Sequence, residues 1–372
     1  MELPSQPARG HCSELAPPVA EPPSVDVIIP VRNRAALVPA CLASIQAQTL
    51  QPSAVIVVDD GSSDGTPEIV EEYRKQMPAL HLVRSEARGV SHARNVALSM
   101  SRAPFIAFLD SDDVWLPEKL ERQMALFAAA GTQLGLVHCA LVRIDESGKR
   151  CPGAAESWPS KRGSIFEDMI RHFYHVGSPS AVVVRRDLIE KAGGFDETLL
   201  LGEDTDLWLR MARMSQVDYV PAVLVGLRAH SGGTFGRAIR GNPEFVLFQR
   251  LKIWNKWAAD IGNDGSVLAQ FRSEAIYVSM ANMLRRRPQF GLYRRLKRSD
   301  LPLARRLFAG PLTYLQPARR LRIAYGRTKG LAVRRLILPN PALLRLCQLA
   351  GRLKRISQAS DYNRSLDPWG GL

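Results

Sequence analysis

An α/β fold with a mostly parallel sheet is what this sequence predicts, and two observations predict it. From residue 25 onward, apolar runs of strand length alternate with segments of helical period, the pattern of a sheet flanked by helices. Two of those runs stop abruptly in acidic turns, at Asp59-Asp60 and at Asp110-Ser111-Asp112-Asp113. Open α/β sheets place their ligands at such carboxyl ends. With 372 residues the chain is long enough for two domains, or for one domain with an appendage.

Val25 to Val31 reads as the first strand and ends at the polar Arg32-Asn33-Arg34. Leu37, Cys41 and Ile45 follow at four-residue spacing on one helix face. Ala54 to Val58 is a second buried strand, closed by the turn-forming Asp59-Asp60-Gly61-Ser62-Ser63-Asp64-Gly65-Thr66 and a helix from near Pro67. Leu80 to Val83 is a short third strand, and Ser91 is the expected cap of a helix reaching Met100. Phe105 to Leu109 then runs straight into three carboxylates. Acids packed so closely repel, so either a divalent cation offsets them or they cap the helix beginning near Pro117.

Gln123 to Val142 carries no charge over a length that could span a bilayer. Gly131-Thr132-Gln133, Gly135 and His138 break it into a helix end, a turn and a strand, so a spanning helix is rejected. Gly148 to Gly163 reads as a surface loop and Ser180 to Val184 as a strand. A short helix from Arg186 to Ala192 and the turn Gly193-Gly194-Phe195-Asp196 follow. Glu203, Asp204 and Asp206 open a further helix, where acids complement its dipole. A strand over Val220 to Leu227 leads to His230, and from Pro243 the pattern is helical.

Charge is unevenly spread. Residues 237–372 hold 27 Lys and Arg against 7 Asp and Glu, whereas residues 1–236 hold 23 against 29. Pairs such as Arg285-Arg286 and Arg334-Arg335 alternate there with short apolar pieces, a composition suited to an anionic membrane surface. The five cysteines are odd in number and lack C-x-x-C spacing, which fits reduced thiols in a cytoplasmic protein. Three segments are expected: a disordered Pro-rich lead-in over 1–24, an α/β domain over 25–236, and a basic helical region over 237–372.

Taken together, five stretches resemble the family 2 glycosyltransferases. They are Val27 to Asn33, Val57 to Thr66, Gly89-Val90-Ser91-His92-Ala93-Arg94-Asn95, Leu109 to Asp113, and Gly193 to Asp196 with Gly202 to Trp208. A lone D-x-D is a weak signal, but five motifs in order over about residues 25–235 are a specific one. The resemblance implies the inverting GT-A fold, Rossmann-like, with the basic helical region as a C-terminal extension. It implies Pro30 and Arg32 as walls of a nucleotide site, Asp59 as the residue orienting its turn, and Asp60 as the acceptor of a base hydrogen bond. Asp110 and Ser111 would lie by the donor, and Arg94 near its diphosphate or sugar. Asp112 would ligate Mg²⁺ or Mn²⁺, with His230 approaching the metal. Asp204 would be the catalytic base and Glu203 its orienting neighbour, while Trp208 reads as core.

The implied donor is a nucleotide-diphosphate sugar, a UDP-sugar first, and the acceptor a glycan or lipid-linked hydroxyl. The expected place is the cytoplasm, peripheral at the inner face of the cell membrane, in surface polysaccharide synthesis. A rival reading makes the basic region a nucleic-acid binder, but it lacks a recognition helix, zinc spacing or an aromatic ribonucleoprotein motif. A nucleotidyltransferase of related fold would carry a Gly-rich early loop, and residues 30–36 hold no glycine.

Overall fold

The computed structural model describes residues 24–228, 242–262, 264–268, 270–271 and 301. The segment 1–23, His230 and the Arg pairs beyond residue 272 lie outside the described residues. Strand β1 (Val25–Val31) is buried along its whole length. It pairs in parallel with β2 (Ala54–Asp59) on one side and β4 (Phe105–Phe108) on the other, and β3 (Leu80–Arg84) extends the parallel set beyond β2. A strand covered on both faces carries apolar side chains on both. Val27, Ile29 and Val31 enter a core shared with α1 (Val38–Gln46), α2 (Thr66–Gln76) and α4 (Lys119–Ala129). Ile28 enters the opposite core, with α3 (Val90–Met100), α5 (Phe166–His172), α6 (Arg186–Lys191) and α7 (Glu203–Met214). Each such aliphatic side chain contributes about 1.5–3 kcal/mol by burial, so a charge at Ile28 would break the centre of the sheet.

Beyond β4 the sheet is mixed. β8 (Val183–Arg185) runs antiparallel between β4 and β6 (Leu134–Ile144), and β9 (Gln216–Arg228) is parallel to β6. The two-residue strands β5 (Val114–Trp115) and β7 (Glu156–Ser157) pair antiparallel with β9 and β6. Reversing direction twice across β8 leaves β6 and β9 pointing the same way as β4. The loops that follow β1, β2, β3, β4 and β6 therefore gather on one edge, to which β9 also points its carboxyl end, and this is the fold's main contribution to function.

Two local expectations are corrected. The cap of α3 is Gly89, at φ 104°, and Ser91 lies inside the helix; a residue with a Cβ rarely adopts that φ. Residues Pro179–Ala181 form a 3₁₀ turn, capped by the Ser178 side chain, and only Val183 onward is strand. The proline lacks the N–H that a ladder needs at its position. The uncharged run from Gln123 divides into α4 and β6, and among the described residues no helix is long and apolar enough to cross a membrane. Past residue 236, α8 (Pro243–Lys256) packs Leu247, Leu251 and Trp254 into the core beside α7. The Trp254 indole donates to the Ile170 carbonyl at 3.1 Å, and Lys256 Nζ reaches the buried Asp206 at 2.7 Å.

Candidate active site

The loops after β1 and β2 are stitched into one wall. Asn33, at φ 52°, donates its N–H to Ser62 Oγ at 2.8 Å and accepts the Ser63 N–H on its own Oδ1 at 2.8 Å. Asparagine tolerates that left-handed backbone better than most residues. The Arg34 N–H donates to Thr66 Oγ1 at 2.8 Å and the Ala35 N–H to Asp64 Oδ2 at 3.2 Å. Asp59 is fully buried, accepts the Ser62 N–H at 3.2 Å and pairs with Arg84 at 3.0 Å. Asp60 accepts the backbone N–H groups of Arg88 and Gly89, each at 2.9 Å, while Arg32 stands 3.9 Å away. Asp60 is thus joined to the start of α3. Pro30 is buried within β1 opposite Val58.

After β4 the acids are held mostly by side chains. Asp113 is buried, accepts the Ser180 hydroxyl at 2.6 Å and accepts the Arg228 N–H at 2.9 Å. Burial, then Asp112 and Asp110, push its carboxyl well above the usual range. The Ser180 hydroxyl also accepts the Asp110 N–H at 3.1 Å. The Arg228 guanidinium donates to the Asp112 carbonyl at 2.8 Å and to the carbonyls of Asp145 and Glu146. Ser111 is buried between the two acids of the motif. Asp112 keeps a part-exposed carboxylate, with Arg34 at 3.5 Å.

Arg94 links this loop to α7. It is buried on α3, donates to Asp110 Oδ1 at 2.6 Å and to Glu203 Oε1 at 2.7 Å, and lies over the Phe195 ring. Burial works against its charge, but the two carboxylates more than offset that and raise its pKa above the arginine norm. A bidentate guanidinium is suited to this bridging. Among the described residues Asp204 has no such cation bonded to it: its Oδ1 accepts the N–H of Thr205 at 2.6 Å and the Thr205 hydroxyl at 3.3 Å. Burial, then the adjacent Glu203 carboxylate, push the Asp204 carboxyl up to about 7. Two adjacent acids therefore differ sharply in surroundings, which is how acid–base roles are divided.

The loop that delivers α7 is set by Asn95. Its amide donates to the Phe195 carbonyl and accepts the Phe195 N–H, both at 2.9 Å. Gly194, at φ 68°, would place an added Cβ 2.9 Å from the Asn95 amide oxygen, so glycine is required. Trp208 is buried in the core against Phe108 and Phe195.

The structure brings Asp110, Arg94, Glu203 and Asp204 together, with Asp112 beside Asp110 and Asp60 at the head of the same helix that carries Arg94. His230 lies outside the described residues. Sequence reasoning missed Arg34, Ser180 and Arg228. Arg34 stood one residue past the Val27 to Asn33 motif, Arg228 stood two residues before His230, and a serine after proline carried no signal. Among the described residues no three His, Cys, Asp or Glu side chains form a metal cluster. The donor set does fit a cation that takes most of its ligands from phosphate. Part-exposed Asp110 and Asp112 carboxylates adjoin, and hard oxygen donors in that number suit Mg²⁺ or Mn²⁺.

Residues 26–193 match the family model described as glycosyl transferase family 2. An uncharacterized glycosyltransferase of Rickettsia prowazekii, RP339, is 28% identical over 225 residues, covering 60% of this chain and 69% of that protein. The amylovoran biosynthesis glycosyltransferase AmsE of Erwinia amylovora is 28% identical over 196 residues, 51% of this chain and 70% of its own length. The crystal structure of S. aureus TarS 1-349 with UDP-GlcNAc superposes with a TM-score of 0.52 at 21% identity, covering 76% of this chain and 79% of TarS 1-349. The mannosyltransferase PcManGT of Pyrobaculum calidifontis, with GDP-Man and Mn²⁺, gives 0.50 at 22% identity over 83% of this chain and 85% of its own. Fold and family model agree: residues 26–193 form a family 2 glycosyltransferase domain, and the chain is a transferase of the GT-A fold.

Proposed function

We propose that this chain is a metal-dependent, inverting glycosyltransferase that moves a sugar from a nucleotide-diphosphate sugar to an acceptor hydroxyl. The observation that carries the reading is Arg94, which ties Asp110 of the acidic loop to Glu203 beside Asp204. That tie puts the donor-side acid Asp110 and Glu203, the chain neighbour of the base Asp204, on opposite arms of one buried guanidinium. In this reading Asp60, Arg32 and Pro30 bound the base, Asp59 holds their turn, and Asp110 and Ser111 lie by the donor. Asp112 and Arg34 face the diphosphate, where Mg²⁺ or Mn²⁺, when bound, supplies charge neutralisation to the departing group. His230 is proposed as a further metal neighbour on the family resemblance alone. Arg94 acts on the donor through Asp110.

Asp204 accepts the proton of the acceptor hydroxyl as its oxygen attacks the anomeric carbon from the face opposite the leaving nucleotide. A carboxyl near 7 suits that task, because a large share of it is ionised at neutral pH and it is basic enough to take the proton. Glu203 is tied up in its ion pair with Arg94, which leaves Asp204 as the carboxylate available to the acceptor. TarS with UDP-GlcNAc and PcManGT with GDP-Man and Mn²⁺ support a sugar nucleotide and a divalent metal, with a UDP-sugar the first donor to try. Likeness to AmsE supports an acceptor in surface polysaccharide synthesis. The basic region after residue 237 would hold the 25–236 domain at an anionic membrane face, near a glycan or lipid-linked acceptor, with 1–24 as a lead-in.

The test is thermal denaturation of the full chain with UDP or GDP, in Mn²⁺, in Mg²⁺ and in chelator. One nucleotide should stabilise the protein with metal and lose most of that effect in chelator. Indifference to every combination would sink the reading.

A further inference from the structure

Arg94 and Arg228 grip one side of the acidic loop. Its other side rests on a buried face of α4 that none of the chemistry above uses. Lys119 is 0% exposed there, and its Nζ makes no hydrogen bond. The ammonium stands 3.7 Å from the centre of the Trp115 ring. Burial lowers this amine to about 7, with only the Cys139 thiol opposing. A methionine would fill the same space without that penalty, so simple packing is a poor account of a lysine here.

What the ring touches supplies a better one. The Trp115 indole N–H donates to the Ser180 carbonyl at 2.7 Å. Ser180 is the residue whose hydroxyl receives the Asp110 N–H and binds the Asp113 carboxylate. One turn along α4, the Gln123 amide donates to the carbonyls of Val137 at 3.0 Å and Ala181 at 2.9 Å, pinning the same turn. In its protonated form the amine is a cation over an indole face and is attracted to it, most strongly where water is excluded. It also polarises the ring and strengthens the N–H as a donor.

We infer that Lys119 is a positioning residue for the acidic loop: through the Trp115 ring it fixes the Ser180 turn from which Asp110 and Asp113 are held. It touches neither donor nor acceptor, and its effect on binding rests on the nucleotide reading above. The effect on the loop itself does not.

The experiment uses the full chain with Lys119→Met, which keeps length and removes charge, with Trp115→Phe, which keeps a ring and removes the N–H, and with the double variant. Amide hydrogen exchange in metal-free protein should speed up about tenfold or more over residues 109–116, with β1 to β3 unchanged. Affinity for Mn²⁺ with whichever of UDP and GDP stabilises the parent should fall about tenfold, while nucleotide affinity in chelator stays put. The double variant should add nothing to either single. Unaltered exchange over 109–116 in Lys119→Met overturns the inference, as does acceleration spread evenly over all strands. If Lys119→Met does not fold, Trp115→Phe decides: loop-specific acceleration supports the inference and its absence overturns it. A parent that no nucleotide stabilises would remove the functional reading, yet the exchange comparison would still judge Lys119.

Discussion

The loops after β2 and after β4 begin alike, each a buried parallel strand running into aspartates, yet the protein treats them in opposite ways. Asp59 and Asp60 are met by backbone N–H groups of Ser62, Arg88 and Gly89. Asp110, Asp112 and Asp113 are met mostly by side chains drawn from three other segments, Arg34, Arg94 and Ser180, with one backbone N–H, that of Arg228, on Asp113. Main-chain donors cannot rotate away, so the first loop is preorganised. The second crowds carboxylates together, and burial first, then that crowding, push Asp113 and the nearby Cys41 thiol upward. Its negative charge is held in place by partners rather than relieved by them. A rigid acceptor suits recognition of a base, and a stressed cluster suits capture of a cation.

The largest effect should come from the far side of the second loop. Asp204→Asn removes the proposed proton acceptor, and general-base catalysis contributes typically about 10²–10⁴-fold, so transfer should fall by about a thousandfold with nucleotide affinity unchanged. In the parent, log rate should rise with pH up to about 7 and then level, because only the ionised carboxyl accepts a proton. The stability sign is the reverse. A carboxyl whose folded value is raised binds more protons folded than unfolded, so it costs stability as pH rises from about 4 to about 7. Asp204→Asn should therefore raise the melting temperature at pH 8 more than at pH 5. An active Asn variant would end the base assignment.

Next in size is the guanidinium that joins the two arms. Arg94→Met leaves Asp110 and Glu203 without their partner, and breaking a buried pair costs about 3–5 kcal/mol. Chemical denaturation should show that loss, and it should shrink as pH is lowered, since the abandoned carboxylates can then protonate. A loss independent of pH would mean that packing over Phe195, not charge, is what Arg94 supplies.

Asp112→Asn should weaken nucleotide binding in Mn²⁺ about tenfold and leave binding in chelator alone, whereas Asp60→Asn should weaken both. Titration of the nucleotide with and without metal separates the two loops directly. Equal losses in both conditions for Asp112→Asn would make it another recognition residue.

How much of this was legible in the sequence depends on how local the cause was. β1, β2 and β4 announce themselves because both faces are buried, so the apolar run is continuous. The acidic ends, α7 with Glu203 and Asp204, and the division of the run after Gln123 follow from residues close together in the chain. Asn95, bonded to Phe195 a hundred positions on, and Arg94, reaching Glu203, are products of tertiary assembly. Ser180 and Lys119 left no trace at all, since a serine and a lysine are ordinary until burial makes them expensive. The cap of α3 failed for a related reason: Ser91 is the better capping side chain, but the chain's entry into the helix demanded the backbone of Gly89.

The smallest effect is the sharpest check on the contrast between the loops. Arg84 pairs with the fully buried Asp59 at 3.0 Å, a contact that on paper matches those of Arg94. The Arg84 side chain, however, is 61% exposed, and Asp59 also accepts the Ser62 N–H. An ion pair with one partner in solvent is worth about 0–1 kcal/mol, and water can take over the vacated side of the carboxylate. Arg84→Met should thus cost less than about 1 kcal/mol in denaturant and leave nucleotide affinity in chelator within a factor of about two. If it cost as much as Arg94→Met, Asp59 would depend on a side-chain cation as Asp110 does. The division between a backbone-held loop and a side-chain-held loop would then fail.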